Sequence, residues 1–89
     1  MMNDYFERLT TQLLEQNNKI SYAEARTWIE LLWEDFEATY AKAGRKYQGQ
    51  EMTEKILSQW INNYGSRLHE VLIEKPKYRE LFEQKKFYH

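Results

Sequence analysis

The sequence predicts an all-α protein: a small bundle of four to five helices around a long central amphipathic helix at about residues 22–43. Between Ser21 and Gly44, core-type side chains recur every three or four residues and share one helix face, the periodicity of a helix packed against a core. These side chains belong to Ala25, Trp28, Ile29, Leu32, Trp33, Phe36, Thr39, Tyr40 and Ala43. The chain also has only three glycines and one proline, which favours helices over many short strands.

Both ends of the central helix carry sequence signals. Ser21 and Glu24 have the spacing of a capping box, in which the serine oxygen and the glutamate each satisfy a free backbone amide. Gly44 stands where a left-handed C-terminal cap is expected, and Lys42 lies near the negative end of the helix dipole. The signals for the start, the apolar face and the end therefore all indicate one helix over this range.

The helices on either side of the central one are shorter. Residues 4–16 form the first, and the brief polar connection after it predicts an antiparallel neighbour of the central helix. The third helix is predicted to begin with Thr53 as its cap and a hydrophobic staple between Met52 and Leu57, and to end at Gly65. Its predicted apolar face is lined by Ile56, Trp60 and Tyr64 and flanked by Leu57 and Ile61.

The C-terminal part of the chain is predicted to form two short helices. The first runs from about Ser66 to Glu74, and Pro76 suits the first turn of the second. We expect this fifth helix to bury Tyr78, Leu81 and Phe82. The length allows one domain at most, so residues 1–89 are predicted to form a single helical domain.

Composition argues against several classes of protein. The net charge is −1 with 30% charged residues, so the chain is neither a disordered tail nor a strongly basic nucleic-acid binder. It contains no cysteine, which rules out disulfides and thiolate metal sites and favours a reducing cytoplasm. The N-terminus lacks the apolar run of a signal peptide, and no stretch approaches the roughly 20 apolar residues of a membrane span. We therefore expect a cytoplasmic protein with no membrane contact.

One stretch of the central helix resembles the signature of a known family. Residues 28–32 read W-I-E-L-L, which resembles W-V-E-L-L with isoleucine in place of valine, and residues 33–37 and 60–69 fit the same pattern. Over nearly its whole length the chain is similar to the WVELL family of small proteins from spore-forming Gram-positive bacteria. The resemblance implies a bacterial cytoplasmic protein. It implies no particular activity, cofactor or catalytic residue.

Catalytic and metal chemistry are not predicted by any residue set in the chain. His69 is one of two histidines and has no second histidine or cysteine at metal-ligand spacing, so we expect a helix-surface or core-edge residue. Glu30, Glu34 and Glu37 fall opposite the aromatic stripe, where a carboxylate is solvated and does no special acid–base chemistry. We therefore expect neither an enzyme nor a bound metal or cofactor.

Charge and aromatic content favour a protein partner. Residues 1–40 hold eight acidic and three basic residues (net −5), and residues 41–89 hold six acidic and ten basic residues (net +4), so opposite faces could pair. Aromatic residues, which are enriched in interface cores, make up 16% of the chain. We expect most of them in the core, with Leu31 and Trp33 exposed as the candidate interface. The favoured hypothesis is a small non-catalytic protein–protein interaction module, with a homodimer as one form.

The alternative hypothesis is a nucleic-acid-associated protein that uses the basic segments 42–46 and 75–86. Its candidate phosphate contacts are Arg45, Lys46, Lys75, Lys77 and Arg79. Acidic residues interleave with the C-terminal basic residues and reduce the local positive charge. We therefore rank nucleic acid below a protein partner. A ligand-binding helical bundle is a third hypothesis, although no convergent polar group identifies the ligand.

Overall fold

The computed structural model describes residues 2–42 and 49–80. Over these residues the chain forms four α-helices and one 3₁₀ turn, and residues 76–80 are also helical. The elements are α1 (Met2–Gln16), α2 (Tyr22–Lys42), α3 (Gln50–Tyr64), the 3₁₀ turn (Gly65–Arg67) and α4 (Leu68–Glu74). Because α1, α2 and α3 all pack against one another, the predicted all-α bundle around a long second helix is confirmed. Several predictions fall outside the described residues, namely those on Ala43, Gly44, Arg45, Lys46, Leu81 and Phe82.

The N-terminus of α2 is closed by the predicted capping box. The backbone N–H of Ser21 donates to Oε1 of Glu24 at 3.0 Å, and the backbone N–H of Glu24 donates to Oγ of Ser21 at 3.1 Å. The carbonyl of Ser21 also accepts the first helical hydrogen bond, from Ala25, at 2.9 Å. Two amides that the helix leaves without partners are thus satisfied reciprocally.

Replacing Ser21 with alanine should therefore lower the free energy of unfolding by about 1 kcal/mol, because one of the two reciprocal bonds is lost. Urea denaturation measures the change. Ser21→Asp keeps an acceptor at the same position and should remain close to the wild type. Equal losses in the two variants would show that the cap is not the source of the effect.

The central helix is buried on two flanks rather than along one stripe. Its buried residues are Ala25, Thr27, Trp28, Ile29, Leu31, Leu32 and Trp33. On one flank, α1 covers Trp33. On the other, Trp60 of α3 and Tyr78 pack against Trp28, with ring centroids 6.2 and 6.5 Å away. A helix enclosed from two sides buries an arc wider than the single stripe that periodicity identified.

The prediction that Leu31 and Trp33 are exposed is wrong. Trp33 is only 1% exposed, because the rings of Tyr5 and Phe6 on α1 lie 5.7 and 5.4 Å from its indole. Leu31 is 3% exposed. It lies one helical turn from both Trp28 and Asp35, and Tyr78 contacts both of those residues, so the C-terminal segment packs on the same flank of α2.

The start of α3 lies earlier than predicted. The helix begins at Gln50, directly after Gly49, whose φ of +99° lets the chain turn into the helix. Thr53 is therefore not a cap. It is buried in the first turn, and its hydroxyl donates to the carbonyl of Gly49 at 3.4 Å. The predicted staple is also wrong, since Met52 is 39% exposed.

The buried face of α3 is rotated from the predicted one. Its buried residues are Thr53, Leu57 and Ile61, whereas Ile56 and Trp60 are half-buried and Tyr64 is 40% exposed. Polar bonds join the flank of α3 opposite Ile56 and Trp60 to α1. Their donors and acceptors are Arg8 with Glu54, and Gln12 with Ser58 and Asn62.

The helix α3 ends at Tyr64, as predicted, but Gly65 does not adopt a left-handed cap. With φ −55° and ψ −38° it continues into the 3₁₀ turn. The reason for glycine here is space. A Cβ at this position would lie 3.0 Å from Cβ of Gln16 and 3.4 Å from Leu13, and Asn17 donates to the Gly65 carbonyl at 3.0 Å. The end of α1 and the end of α3 therefore meet in close backbone contact.

The C-terminal segment turns at Lys75, as predicted. This residue has φ −127° and ψ 86°, an extended conformation that precedes Pro76 and separates α4 from residues 76–80. Tyr78 is buried, as predicted for the fifth helix.

Candidate protein-interaction surface

One side of α3 carries a row of four apolar side chains that are exposed at its ends and half-buried in its middle. The row, hereafter the outer row, consists of Met52, Ile56, Trp60 and Tyr64, which are spaced four residues apart. Met52 and Tyr64 are exposed at its two ends, and Ile56 and Trp60 are half-buried between them. At 1.5 Å per residue the outer row is about 18 Å long. It lies beside the buried face of α3, so the helix carries apolar side chains both inward and outward.

The stretch of sequence that contains most of the outer row is uncharged. Residues 56–66 form a run of eleven without an acidic or basic side chain, in a chain of which 30% is charged. The exposed polar neighbours of the row in this run include the amides Gln59 and Asn63. Depletion of charge together with exposed aromatic and methionine side chains is typical of the core of a protein interface.

The aromatic end of the outer row is held by the protein core. Trp60 lies between the buried ring of Trp28 at 6.2 Å and the exposed ring of Tyr64 at 5.2 Å. The guanidinium of Arg67 lies 5.3 Å from the Tyr64 ring, within cation–π distance. Side chains fixed in this way lose little conformational entropy when a partner binds.

The opposite flank of α3 is closed by α1. Nε of Arg8 donates to Glu54 at 2.8 Å, and Nε2 of Gln12 donates to the Ser58 carbonyl at 3.0 Å and to Asn62 at 3.1 Å. A shallow open cleft of about 290 Å³ adjoins these hydrogen bonds. It is lined by Leu9, Gln12, Glu51, Glu54, Lys55, Ser58 and Gln59. Several polar groups that line the cleft already take part in these hydrogen bonds. We therefore take the outer row, and not the cleft, as the candidate surface of α3.

The candidate phosphate contacts are only partly brought together. Lys75, Lys77 and Arg79 lie within one exposed segment. Nζ of Lys77, however, donates to Oδ1 of Asp35 at 2.5 Å, which neutralises its charge locally. Arg45 and Lys46 lie outside the described residues, so the structure does not place them relative to this segment.

The candidate catalytic carboxylates lie on the outer side of α2. Glu34 is exposed, Glu37 is half-buried, and Glu30 is half-buried with an oxygen 3.7 Å from the guanidinium of Arg26. His69 is exposed on α4, as expected for a helix-surface residue. Across residues 2–42 and 49–80, no group of three His, Cys, Asp or Glu side chains could hold a metal ion. Over the same residues, no helix has the length and apolar character that crossing a membrane requires.

The C-terminal segment is fastened to α2 through Asp35. This carboxylate accepts a hydrogen bond from Tyr78 Oη at 2.9 Å as well as the Lys77 bond, and its side chain is only 13% exposed. Burial, and secondarily the bond to Asp35, raises the pKa of Tyr78 to about 12. Asp35 follows the W-I-E-L-L stretch on α2, and the sequence pattern predicted no role for it. Its position seven residues after Trp28 was the one signal of this role.

The raised pKa of Tyr78 predicts a specific loss of stability in alkali. The folded state holds this proton more tightly than the unfolded chain, in which the pKa is about 10, so the contribution is complete below pH 10 and disappears as the pH rises through about 12. The free energy of unfolding of the wild type should therefore fall more steeply between these values than that of Tyr78→Phe. Urea titrations at a series of pH values measure both slopes, and equal slopes would contradict the assignment.

Comparison with known proteins places the chain in a family. The family described as WVELL protein matches residues 4–77. A protein of Bacillus subtilis (strain 168), described as "Uncharacterized protein YfhJ", is 68% identical over 68 residues, which is 76% of each chain. No solved structure matches the chain. In the structure, the apolar residues of the W-I-E-L-L stretch are Trp28, Ile29, Leu31 and Leu32, and all four are buried. The matched range, the high identity and the signature at residues 28–32 agree, and the chain belongs to the WVELL protein family.

Proposed function

We propose that the chain is a small non-catalytic protein–protein interaction module and that the outer row is its contact surface. The observation that carries the proposal is the combination, on one side of α3, of partly exposed Met52, Trp60 and Tyr64 with the uncharged run of residues 56–66. Leu31 and Trp33 take no part, since both are buried. The absence of cysteine further leads us to propose the cytoplasm as the compartment.

The energetics favour a contact centred on Trp60 and Tyr64. Trp and Tyr are the residues most enriched among those that dominate binding free energy, and such residues cluster near the centre of an interface. The half-buried indole of Trp60 is already oriented by Trp28, so a partner would gain apolar contact without ordering a mobile side chain. We expect Trp60→Ala to reduce partner binding more than any other single truncation in the outer row.

Site-specific photo-crosslinking in the native host tests this proposal. A photoreactive amino acid at Asn63, an exposed position beside the outer row, should give covalent adducts with protein, and Trp60→Ala should abolish them. Thr11 is the matched control, because it is an exposed position on α1. Adducts of equal yield from both positions, or none from Asn63, would refute the outer row as a contact surface.

Exposed bases in residues 75–79 keep nucleic acid as the second candidate. Lys75 is the informative residue, because Lys77→Glu would also break the ion pair to Asp35 and disturb the fold. The nucleic-acid hypothesis predicts binding that weakens steeply with salt, and Lys75→Glu should reduce both the affinity and the salt slope. If fluorescence anisotropy shows no binding of DNA or RNA at low salt, this candidate is eliminated.

A further inference from the structure

We propose that residues 76–80 form a detachable strap that limits access to the interaction surface. When the strap is closed, its Tyr78 ring packs against the indole of Trp28, and when it opens, that indole is exposed beside Trp60. The inference rests on the proposed function, since it concerns how the same surface is regulated. Three features support it: a single buried anchor in the strap, a hinge before it, and ring contacts that lead from it to the outer row.

One buried side chain anchors the strap. Tyr78 is 8% exposed, whereas the other residues of the strap are all exposed, namely Pro76, Lys77, Arg79 and Glu80. Tyr78 and Lys77 both bond to Asp35, but the Lys77 side chain is 66% exposed, and an ion pair this exposed adds little stability. Segments that bury few apolar side chains open at a lower free-energy cost than the whole protein. We therefore expect the strap to open while α1, α2 and α3 stay packed.

A hinge separates the strap from α4. Lys75 has an extended backbone, and Pro76 has no N–H with which to continue the hydrogen-bond ladder of α4. The Lys75 N–H donates to the Val71 carbonyl at 2.9 Å, and the Lys75 carbonyl accepts from the Tyr78 N–H at 3.0 Å. Rotation about ψ of Lys75 therefore moves the strap as a unit and leaves both of these bonds intact. Hinges are commonly residues of this kind, at the end of an element.

Ring contacts connect the strap to the outer row. The Tyr78 ring lies 6.5 Å from the ring of Trp28, Trp28 lies 6.2 Å from Trp60, and Trp60 lies 5.2 Å from Tyr64. Trp28 is only 2% exposed with the strap in place. Departure of Tyr78 therefore exposes part of its indole next to Trp60. The open form extends the outer row by a second tryptophan, a residue type that is enriched among those that dominate binding free energy.

Strap closure and partner binding should therefore oppose each other. A partner that contacts the newly exposed indole of Trp28 binds the open form more tightly than the closed one, and this difference in affinity shifts the equilibrium toward the open form. The closed strap lowers the apparent affinity, because only the open fraction of the molecules offers the whole surface. Weakening the strap should strengthen binding, even though it removes contacts from the folded protein.

Strap opening can be measured without a partner, by paramagnetic broadening of the fluorine signals of the full chain labelled with 5-fluorotryptophan. Asp35→Ala removes both bonds to the strap and should raise the open population about tenfold, the change expected for two partly exposed hydrogen bonds. The Trp28 signal should then broaden more than in the wild type, while the Trp33 signal, from a ring packed against α1, stays unchanged. Tyr78→Phe keeps the ring and loses one bond, so its effect should be intermediate.

Glu7→Ala is the matched control for Asp35→Ala. Like Asp35, Glu7 accepts hydrogen bonds from a tyrosine hydroxyl and from a basic side chain, those of Tyr22 and Arg26. It lies on α1, however, which packs on the other flank of α2. Its loss should lower stability without changing the broadening of the Trp28 signal. If Asp35→Ala broadens the Trp28 signal no more than Glu7→Ala does, the strap is overturned.

Photo-crosslinking from Asn63 in the native host then separates this inference from the proposed function. Opening of the strap in Asp35→Ala, together with an adduct yield at least about twofold above the wild type, would support the inference. An unchanged or lower yield despite opening would overturn it and leave the outer row as a contact surface. An absence of adducts from Asn63 in every variant would overturn the proposed function, and regulation by the strap with it.

Discussion

Replacing Trp33 with alanine should lower the free energy of unfolding by about 3–5 kcal/mol, the usual cost of truncating a buried tryptophan. The indole is 1% exposed and packs against Tyr5 and Phe6, so its removal leaves a cavity between α1 and α2. Small domains have about 5–15 kcal/mol of stability in total, so a measurable fraction of the variant should be unfolded at 37 °C. Guanidinium denaturation measures this loss in the free energy of unfolding, provided that the m-value of the variant equals that of the wild type.

Trp33→Phe is the matched control for that prediction. Nε1 of Trp33 is buried and has no hydrogen-bond partner in the described part of the chain, so phenylalanine removes an unsatisfied donor while keeping most of the ring packing. It should cost well under half as much as alanine. If Trp33→Ala costs less than about 1 kcal/mol, the residue is not in the core and the description of α2 as enclosed fails.

Gly65→Val should be the second most damaging substitution, with a loss of about 3 kcal/mol from overpacking. Its Cβ would lie 3.0 Å from Cβ of Gln16, which is attached directly to the backbone of α1 and cannot move aside as a flexible side-chain tip would. It would also lie 3.3 Å from Ile61. The helical φ of Gly65 accepts any residue, so the expected loss comes from crowding alone. Chemical denaturation measures it.

A double mutant tests that explanation. Gln16→Gly removes the crowding atom, so the cost of Gly65→Ala should be at least about 0.5 kcal/mol smaller in that background than in the wild type. Gly49→Ala provides the contrast: nothing lies within 4 Å of its added Cβ, and any loss there comes from the positive φ. Strictly additive losses for Gly65→Ala and Gln16→Gly would contradict crowding as the cause.

The helices that sequence predicted best were those with local signals at their ends. The capping box at Ser21 and Glu24 involves residues three apart, so it forms wherever the helix forms, and both bonds are present. The extended conformation of Lys75 is likewise imposed locally, by the ring of Pro76. Features fixed by a few adjacent residues can be identified without knowing the rest of the fold.

The errors arose where distant segments decide the outcome. Periodicity gives the direction of the apolar side of α2, but its width depends on how many elements pack there. Leu31 and Trp33 lie at its margins and were predicted to be exposed, whereas both are buried and the rings of Tyr5 and Phe6 on α1 pack against Trp33. Those contacts join residues more than 25 positions apart, and no local pattern contains them.

The rotation of α3 could not be predicted for a related reason. Its two neighbouring apolar rows, one with Leu57 and Ile61 and the other with Ile56 and Trp60, satisfy the same helical periodicity. The first row is the buried one, beside the flank of α3 that bonds to Gln12 of α1. The second row was therefore visible in the sequence, but its exposure, on which the proposed function depends, was not.

The family signature acquires a structural meaning from this arrangement. Its apolar members close the core against α1, α3 and the C-terminal segment, while Glu30 faces outward beside Arg26. The four apolar residues of the motif are therefore part of the buried interior. Our functional proposal therefore concerns the outer row of α3, where exposed Met52 and Tyr64 flank half-buried apolar side chains, and not the signature itself.

Fluorine NMR of the full chain labelled with 5-fluorotryptophan tests the enclosed α2 core most directly. The three tryptophan resonances can be assigned with single Trp→Phe variants and then exposed to a soluble paramagnetic agent. The account predicts that the Trp28 and Trp33 resonances stay sharp at every protein concentration, while all three broaden in the urea-unfolded chain. Broadening of the Trp33 resonance in the folded protein to the extent seen in urea would contradict it.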